Sequence, residues 1–421
     1  MRVPLAVRGW VEWLRRFAAT TPGAIVAIVA AAVVLCLISG LVGAEELSGK
    51  TARRDAALQR SEPLADAAQR LYVALSSADA AAATAFLTGG IESRDVRAHY
   101  QQALAEAADA LATATAGASD ADTRAIVAHI AADLPTYTGL VETARANNRQ
   151  GFPVGSAYLR EASGVMQNSL LPNASRLTEQ RLAAVRADQR AVTAPPWFTL
   201  VLLVIVIGAA VAASRILLRR TNRRINTGLV VGAGAAVLAL LWIVAGTFVA
   251  RGAIDTGAQG PTARSDNLAQ ARILAQQART DETLELITHG DPTAPEHDFG
   301  TKTQLLNNAL VAATPRDSPL RQQFQRWLNG HQTQMSAYDA ADYSAAVKQA
   351  IGPEPESSAN RFTELDTGLR DNLAATRADL RGQIGAAGDG WFGAAAGTLV
   401  LMVLAAAGVV AGLWPRLKEF L

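Results

Sequence analysis

Four long apolar runs constrain this chain more than any other feature. They cover residues 23–43, 197–213, 228–250 and 391–414, and none of them contains Asp, Glu, Lys, Arg or His. A helix needs roughly 20 apolar residues to cross the hydrocarbon core of a bilayer. Three runs reach that length, and the second reaches it with residues 214–218, where Arg215 can extend toward the headgroups. The sequence therefore predicts a multi-pass membrane protein with four spans.

Basic residues beside the spans predict the orientation of the chain. The segment before the first span carries a net charge of +3, and the tail carries +1. The loop between the second and third spans carries +5 when Arg215, at the end of the second span, is counted with it. Because short cytoplasmic loops are enriched in Lys and Arg, we expect these segments, and hence both termini, to be cytoplasmic. The two long polar segments, with net charges of −2 and −5, would then be extracytoplasmic.

These assignments divide the chain into nine parts, with the first span as an uncleaved anchor. In chain order they are a cytoplasmic N-terminus (1–22), transmembrane helix 1 (23–44), extracytoplasmic four-helix bundle 1 (45–194), transmembrane helix 2 (195–218), a cytoplasmic basic loop (219–227), transmembrane helix 3 (228–250), extracytoplasmic four-helix bundle 2 (251–390), transmembrane helix 4 (391–414) and a cytoplasmic tail (415–421).

Apolar residues in both extracytoplasmic segments recur at helical spacing. In the first segment Leu64, Ala68, Leu71 and Leu75 step by three or four, the spacing of a helix packed in a bundle. Turn-forming residues divide each segment into four helices, and alternating strand patterns are nearly absent. Because both ends of each segment meet the membrane, we expect up-down-up-down bundles. The predicted fold class is all-α and integral to the membrane.

Two sequence matches indicate that a span–bundle–span unit is duplicated. Residues 182–188 read Leu-Ala-Ala-Val-Arg-Ala-Asp before the second span, and residues 373–379 read Leu-Ala-Ala-Thr-Arg-Ala-Asp before the fourth. A weaker match pairs residues 84–90 with residues 284–290. An even number of spans in each unit makes the repeats parallel. We therefore expect a tandem repeat of transmembrane helix, four-helix bundle and transmembrane helix.

Motifs of catalysis are absent or weak. The sequence has no His-Glu-x-x-His, no phosphate-binding loop and no Gly-x-Ser-x-Gly, so we expect neither enzymatic activity nor a cofactor. Residues 289–298 hold two histidines and three carboxylates, which could bind a cation. A solvated polar loop is the favoured interpretation, because the first repeat has no counterpart, and we expect no metal site. His331 lies on an apolar stripe, the usual setting of a packed core histidine. The net charge of +2 argues neither way on nucleic acid, and we expect no nucleic-acid partner.

One group of residues near the predicted bundle tips is a candidate for docking an extracytoplasmic partner. Arginine suits this role because it binds carboxylates in bidentate geometry, and a solvated helix start is the alternative for the first three residues. The group consists of Arg94, Arg97, His99, Phe152, Tyr158, His289, Asp291 and His297.

Two further groups concern the membrane. The basic loop is explained by topology alone, and membrane lipid or a cytosolic partner could also use it. Its arginines are Arg215, Arg219, Arg220, Arg223 and Arg224. Glycines spaced four residues apart in the spans permit close helix packing. They are Gly228, Gly232, Gly393, Gly397, Gly408 and Gly412.

The layout leaves little room for a cytosolic effector. The predicted cytoplasmic parts hold about 22, 14 (residues 214–227) and 7 residues, well below the ~50 that a domain needs. A signal must therefore leave through a recruited protein. Transport fits poorly, because intramembrane charges mark ion and substrate routes and these spans carry none.

The span–bundle–span units, with their matching residues 182–188 and 373–379, carry a family resemblance. Each unit resembles the periplasmic four-helix sensor module of bacterial chemoreceptors and histidine kinases. The whole chain resembles actinobacterial membrane proteins of the GlnX type, which implies a bacterial plasma membrane location. It also implies a relay of amino-acid availability (glutamate, aspartate or glutamine) from an extracytoplasmic solute-binding lipoprotein to the cytosolic serine/threonine protein kinase G.

Two other functions stay open on the sequence. The same helices would suit a non-sensory scaffold that assembles an envelope complex. The extracytoplasmic segments could also capture a small ligand directly, without a binding protein. The sequence leaves the formation of a homo-oligomer open as well.

Overall fold

A computed structural model describes residues 21–87, 94–221, 227–253, 260–288 and 293–418. Every regular element in these ranges is a helix, and no strand occurs among them. Four of the helical runs are long and apolar enough to cross a membrane. The predicted fold class, all-α and integral to the membrane, is therefore confirmed.

Fourteen α-helices account for most of the described residues. They are α1 (Thr21–Ala56), α2 (Glu62–Leu87), α3 (Arg94–Ala116), α4 (Ala121–Arg149), α5 (Val154–Val165), α6 (Leu171–Thr193), α7 (Trp197–Thr221), α8 (Thr227–Ala253), α9 (Pro261–Thr288), α10 (Thr293–Ala313), α11 (Pro319–Asp339), α12 (Tyr343–Ile351), α13 (Ser358–Asp389) and α14 (Ala394–Lys418). Short π-helical segments, Ala57–Ser61 and Met166–Leu170, join α1 to α2 and α5 to α6 without a break.

The described residues form two compact units. The span unit takes its residues from Met1–Asp55, Asp188–Ile254 and Gln383–Leu421. The polar unit takes its residues from Ala56–Ala187, its first half, and from Asp255–Gly382, its second half. Each half of the polar unit thus comes from one of the two sequence repeats.

In the span unit, α1, α7, α8 and α14 supply an apolar cluster. Cys36, Leu203, Ile243 and Met402 are almost wholly buried in it. Other apolar side chains of the same helices are exposed, and Phe248 is 72% exposed. Helices that bury one apolar face and expose another match proteins whose outer surface contacts lipid.

The helix ends fall near the predicted span boundaries. The predicted spans 23–44 and 228–250 lie inside α1 and α8. α7 begins at Trp197, directly after Pro195 and Pro196, the first two residues of the predicted span 195–218. α14 begins at Ala394, three residues after the predicted start at residue 391.

Two residues of α1 hold the break between α6 and α7. Lys50 Nζ donates to the carbonyl oxygen of Ala191 at 3.1 Å and also to that of Ala194. The Glu46 carboxylate accepts from the backbone N–H of Thr199 at 2.9 Å and from its hydroxyl at 2.6 Å. The partial charge of a helix dipole is negative at the carboxyl end and positive at the amino end. A cation at the end of α6 and an anion at the start of α7 are therefore both attracted to it. The pair therefore stabilises both helix ends at once.

The second joint, between α13 and α14, follows a stretch that contains three glycines. α13 continues through Gly385 and Gly388 to Asp389, and the chain turns over residues 390–393. Gly393 has a φ of 71°, a left-handed conformation that glycine adopts without strain. Arg54 of α1 lies 3.5 Å from the Asp389 carboxylate and 3.4 Å from the carbonyl oxygen of Gly385.

The first half of the polar unit folds as the apolar spacing predicts. Leu71 and Leu75 of α2 are wholly buried, together with Ile130 and Tyr137 of α4 and Leu159 of α5. α5, a π-helical segment and α6 follow one another without a break and form its last helical run. This half therefore has the four predicted helical runs.

The second half contains five helices over its described residues, where the sequence indicated four. Trp327, Phe324 and Leu369 lie in its core, but α11 ends at Asp339 and the short α12 follows. The extra break has no Gly or Pro to mark it. Ala341 adopts a φ of 61°, and the Asp342 carboxylate accepts from the Ala345 N–H at 3.0 Å to cap α12.

Candidate functional site

Two equivalent ion pairs connect the halves of the polar unit, and each half supplies the arginine of one pair and the aspartate of the other. Arg186 and Arg377 occupy the same position in the two matching stretches that precede the spans. Arg377 bonds to Asp66 on α2, and Arg186 lies 3.8 Å from Asp266 on α9. Asp66 and Asp266 also occupy equivalent positions, because they precede residues 84–90 and residues 284–290, the two segments of the weaker match, by the same number of residues. Reciprocal contacts of this kind are expected between two equivalent units related by a twofold axis, so they support the duplication.

Further polar contacts join α2 to α13. Arg381 binds the Glu62 carboxylate in bidentate geometry, with distances of 3.0 and 3.1 Å. Arg377 also bonds to Gln69, and its side chain is only 10% exposed. Burial lowers the pKa of the Arg377 guanidinium to about 10, against the opposing effect of the Glu62 charge. Buried charges require such partners, so these contacts fix how the two halves pair.

Beside these contacts, α2, α3, α9 and α13 line an open cleft of about 770 Å³ between the halves. Its size lies within the range of small-molecule sites. The lining is rich in charged side chains of both signs. Its charged residues are Asp66, Arg70, Glu106, Asp109, Arg272, Arg370, Arg377 and Arg381.

The wall of the cleft is anchored by a buried aspartate. Asp366 accepts from Arg272 Nε at 2.8 Å and Arg272 Nη2 at 3.1 Å, and from Gln276 at 3.0 Å. Burial acts to raise the pKa of the Asp366 carboxyl, but the hydrogen bonds and charge of Arg272 outweigh it and hold the pKa below its usual value. Two nitrogens of Arg272 are therefore already bonded to Asp366. Arg370 also lines the cleft, and its side chain is 60% exposed.

Acidic groups face the same space from the first half. Arg70 lies between Asp66 at 2.9 Å and Asp109 at 3.3 Å. Glu106 accepts from the Gln102 amide at 3.0 Å. Arginines on one side and carboxylates on the other can bind a carboxylate and an ammonium group of one molecule.

A second groove of about 270 Å³ continues the cleft along the same four helices. His99 lines it, with Nε2 3.3 Å from the Ser77 hydroxyl. His99 is thus the one predicted docking residue found in the lining of the cleft or of this groove. Arg94 and Arg97 are exposed on the first turn of α3, the same helix.

The other predicted docking residues lie at different helix starts. Phe152 is 53% exposed before α5, whereas Tyr158 packs partly against the core of the first half. His297 is exposed near the start of α10. His289 and Asp291 lie outside the described residues. Their shared role in docking stays a prediction.

The predicted membrane residues have mixed placements. Arg215 is exposed on α7, whereas the side chains of Arg219 and Arg220 and all of Arg223 and Arg224 lie outside the described part of the chain. The use of this arginine loop by lipid or a partner stays a prediction.

Five of the six glycines lie where helices approach closely. A Cβ on Gly228 would lie 2.5 Å from the Gly408 carbonyl oxygen and 2.8 Å from the Gly412 Cα. A Cβ on Gly232 would lie 3.1 Å from a Val409 methyl group. Added Cβ atoms on Gly397 and Gly408 would lie 2.7 Å from the Trp242 ring and 2.9 Å from Val231. Gly393 differs: it is in the turn before α14, where an added Cβ meets no neighbour within 4 Å. Its predicted role in helix packing is therefore wrong, because the turn requires a left-handed residue.

Sequence reasoning missed the cleft itself. Its residues come from four helices, and Arg377 is 311 positions from its partner Asp66. The one available signal was that Arg186 and Arg377 recur at the same place in both repeats.

Comparison with known families identifies one of the two repeats. Residues 53–190 match the family model described as the actinobacterial sensor domain. Neither the comparison with curated proteins nor that with solved structures gives a match. The matched residues span the first half of the polar unit, including the α2 and α3 walls of the cleft. The first repeat of this multi-pass membrane protein is thus similar to an actinobacterial sensor domain, which supports a sensory role for the chain.

Proposed function

We propose that this protein is a transmembrane sensor whose polar unit binds an extracytoplasmic amino acid in the cleft between its halves. The observation that carries the proposal is the pairing of exposed arginine with carboxylates around one open space. An amino acid carries a carboxylate and an ammonium group a few ångströms apart. A cleft of a single sign would repel one of them, whereas this cleft offers a partner to each.

Arg370 and Glu106 are the residues we assign to the ligand. Arg370 is held at one end by Asp366 at 3.3 Å, while most of its side chain stays exposed. Its remaining donors suit a carboxylate. Glu106, on the opposite wall, suits the ammonium group.

The signal would leave through helices that lead directly to the spans. α1 and α2 form one helical run from Thr21 to Leu87, so a change at the cleft wall on α2 has a covalent route to the first span. Within the span unit, Lys50, Glu46 and Arg54 tie α1 to the ends of α6, α7 and α13. Packed helices favour discrete arrangements, and a ligand that prefers one of them shifts the population.

The cytoplasmic segments would deliver the output of the sensor. Under the positive-inside orientation, the arginine loop and both termini face the cytosol and would recruit a serine/threonine kinase rather than act as an enzyme themselves. The family resemblance supports this output and also a solute-binding lipoprotein as the source of the amino acid. The cleft favours direct capture of the ligand.

Calorimetry on the full-length protein in lipid nanodiscs tests direct capture. The titrants are individual amino acids, matched carboxylic acids without the amine, and matched amines without the carboxylate. We expect binding only when both groups are present, and a loss of at least about tenfold in affinity, roughly 1.4 kcal/mol, in Arg370→Gln. Arg326→Gln is the matched control, because Arg326 is similarly exposed in the second half and pairs with Glu364 outside the cleft lining.

Two outcomes would contradict this function. Unchanged affinity in Arg370→Gln would remove the cleft as the binding site. Absence of binding by any free amino acid, together with amino-acid-dependent capture of a solute-binding lipoprotein, would replace direct capture by the relay.

A further inference from the structure

A second polar cluster lies inside the second half, away from the residues assigned to the amino acid. Glu285 of α9, Glu296 of α10 and His331 of α11 each present one ligand atom, and these atoms lie within 4.8 Å of one another. Glu285 is 1% exposed and His331 is 4% exposed. Glu296 is 47% exposed at its side chain, so the cluster opens to solvent on one side.

His331 is oriented by contacts on both ring nitrogens. Nδ1 lies 3.3 Å from the Glu282 carboxylate, and Nε2 lies 3.0 Å from the Glu296 carboxylate. The ring stacks on Phe299 with a centroid distance of 3.8 Å. If Nδ1 carries the proton and donates it to Glu282, the Nε2 lone pair points toward Glu296. A histidine that donates its other N–H to a carboxylate is the usual arrangement of a metal ligand.

Glu282 is well placed for this orienting role. Its carboxylate is buried and accepts from Arg279 at 2.5 Å, from the Trp327 indole at 3.1 Å and from Ser358. Arg279 balances the charge of this carboxylate, which faces His331 Nδ1 as an acceptor.

Glu285 and Glu296 place two further carboxylates beside the imidazole of His331. The charge of a divalent cation would compensate the two carboxylates.

We propose that Glu285, Glu296 and His331 bind a divalent transition-metal ion, with Glu282 as the residue that orients the histidine. One imidazole and two carboxylates suit Zn²⁺ and similar borderline ions better than Ca²⁺ or Mg²⁺, which prefer oxygen ligands alone. Ligand atoms on one zinc ion sit about 3.4 Å apart at bond lengths near 2.1 Å. The three ligand atoms all lie within 4.8 Å of one another, so small side-chain movements would bring them to that spacing.

The site would belong to one repeat alone. In the weaker sequence match, the first repeat has Ala85 where the second has Glu285. A bound ion would join α9, α10 and α11 of the second half and leave the first half without an equivalent. The proposal is independent of the amino-acid cleft, because none of the three ligands lines it.

Zinc binding to the full-length protein in detergent tests the site. After treatment with a chelator and its removal, Zn²⁺ alone is titrated by calorimetry, and the bound metal is counted by mass spectrometry. We expect one zinc ion for each chain and a rise in the thermal midpoint, because an ion that binds only the folded state stabilises it. Failure to bind Zn²⁺, or equal affinity for Mg²⁺ or Ca²⁺, would overturn the proposal.

Glu285→Gln separates metal binding from folding. It removes a buried carboxylate at constant size, so the metal-free variant should fold and keep at least the midpoint of the parent. We expect its zinc affinity to fall by at least tenfold, about 1.4 kcal/mol, and the zinc-induced rise in midpoint to disappear. His297→Gln is the control, because His297 is exposed beside Glu296 and is not one of the three ligands. Loss of zinc binding in His297→Gln with retention in Glu285→Gln would place the metal elsewhere.

Discussion

The guanidinium of Arg377 bonds to the carboxylate of Asp66 across the two halves of the polar unit, where their side chains are 10% and 29% exposed. The repeat counterparts, Arg186 and Asp266, are 49% and 32% exposed and lie 3.8 Å apart. Two equivalent pairs of one duplicated interface thus differ in burial. This difference gives a matched test of how much the buried pair contributes.

Asp66→Asn should destabilise the protein more than Asp266→Asn. Asp66→Asn removes the carboxylate that bonds to the buried Arg377 and leaves its guanidinium with the Glu62 charge and the Gln69 amide alone. This loss should cost about 2 kcal/mol of the free energy of unfolding after allowance for partial exposure. The exposed counterpart should contribute less than about 1 kcal/mol. Thermal unfolding of the full-length variants in one detergent measures both. Equal losses would mean that the pairing of the halves does not depend on this contact.

The stability of the protein should depend on pH through the buried carboxyl of Asp79. Asp79 is 1% exposed and accepts from the Ser163 hydroxyl at 3.0 Å, and burial raises its pKa from 3.8 to about 6. A raised pKa in the folded state contributes stability that is complete below about pH 4 and is lost as the pH rises through about 6. Asp79→Asn removes this loss.

We therefore expect Asp79→Asn to gain stability relative to the parent as the pH rises from 4 to 7, reaching about 2 kcal/mol at neutral pH. Unfolding midpoints across this pH range measure the difference. Asp122→Asn, which removes an exposed carboxylate from the same half, controls for the change in net charge. Parallel pH profiles for the parent and Asp79→Asn would contradict the assignment.

The sequence could predict the features that depend on local pattern. The four apolar runs indicated the four candidate spans, and the three-and-four spacing of residues such as Leu71 and Leu75 indicated the helices and their buried face. The matching position of Arg186 and Arg377 indicated a duplication. Each of these signals is contained in a short stretch of chain.

Features that depend on contacts between distant residues could not be predicted. The cleft forms because α2 and α3 meet α9 and α13, and no short segment contains two of its opposing walls. The break before α12 was missed because Ala341, not glycine, takes the left-handed conformation. His331 was correctly expected in the core, yet its contacts with Glu282 and Glu296 come from two other helices.

Lys50 offers a test of the joint between α6 and α7. Its ammonium is the donor to the last carbonyl groups of α6, and Lys50→Met keeps the length of the side chain without the charge. Losing hydrogen bonds from a charged donor should cost about 2 kcal/mol.

The matched control for Lys50→Met is Arg53→Met. The Arg53 side chain is 64% exposed on the same helix and lies 3.7 Å from Asp188, so its loss should cost less than about 0.5 kcal/mol. Thermal unfolding of the two full-length variants measures the difference. Similar midpoints would mean that Lys50 does not stabilise the joint.

The packing of α8 on α14 depends on glycine at one position. A Cβ on Gly228 would approach the Gly408 carbonyl oxygen to 2.5 Å and the Gly412 Cα to 2.8 Å, distances that backbone atoms cannot relieve by rotation of a side chain. Gly228→Ala must therefore separate the two helices. We expect a loss of about 2 kcal/mol, the typical cost of overpacking a close interface.

Gly234 on the same helix supplies the control for this prediction, because a Cβ there meets no atom within 4 Å. Alanine favours a helix over glycine by up to about 1 kcal/mol, so Gly234→Ala should leave stability unchanged or raise it slightly. The two variants make the same chemical change in one apolar span and differ only in the neighbour they meet. A lower unfolding midpoint for Gly228→Ala alone would locate the close contact of α8 and α14 at Gly228. Equal midpoints would show that these helices do not approach as closely in the membrane-embedded protein.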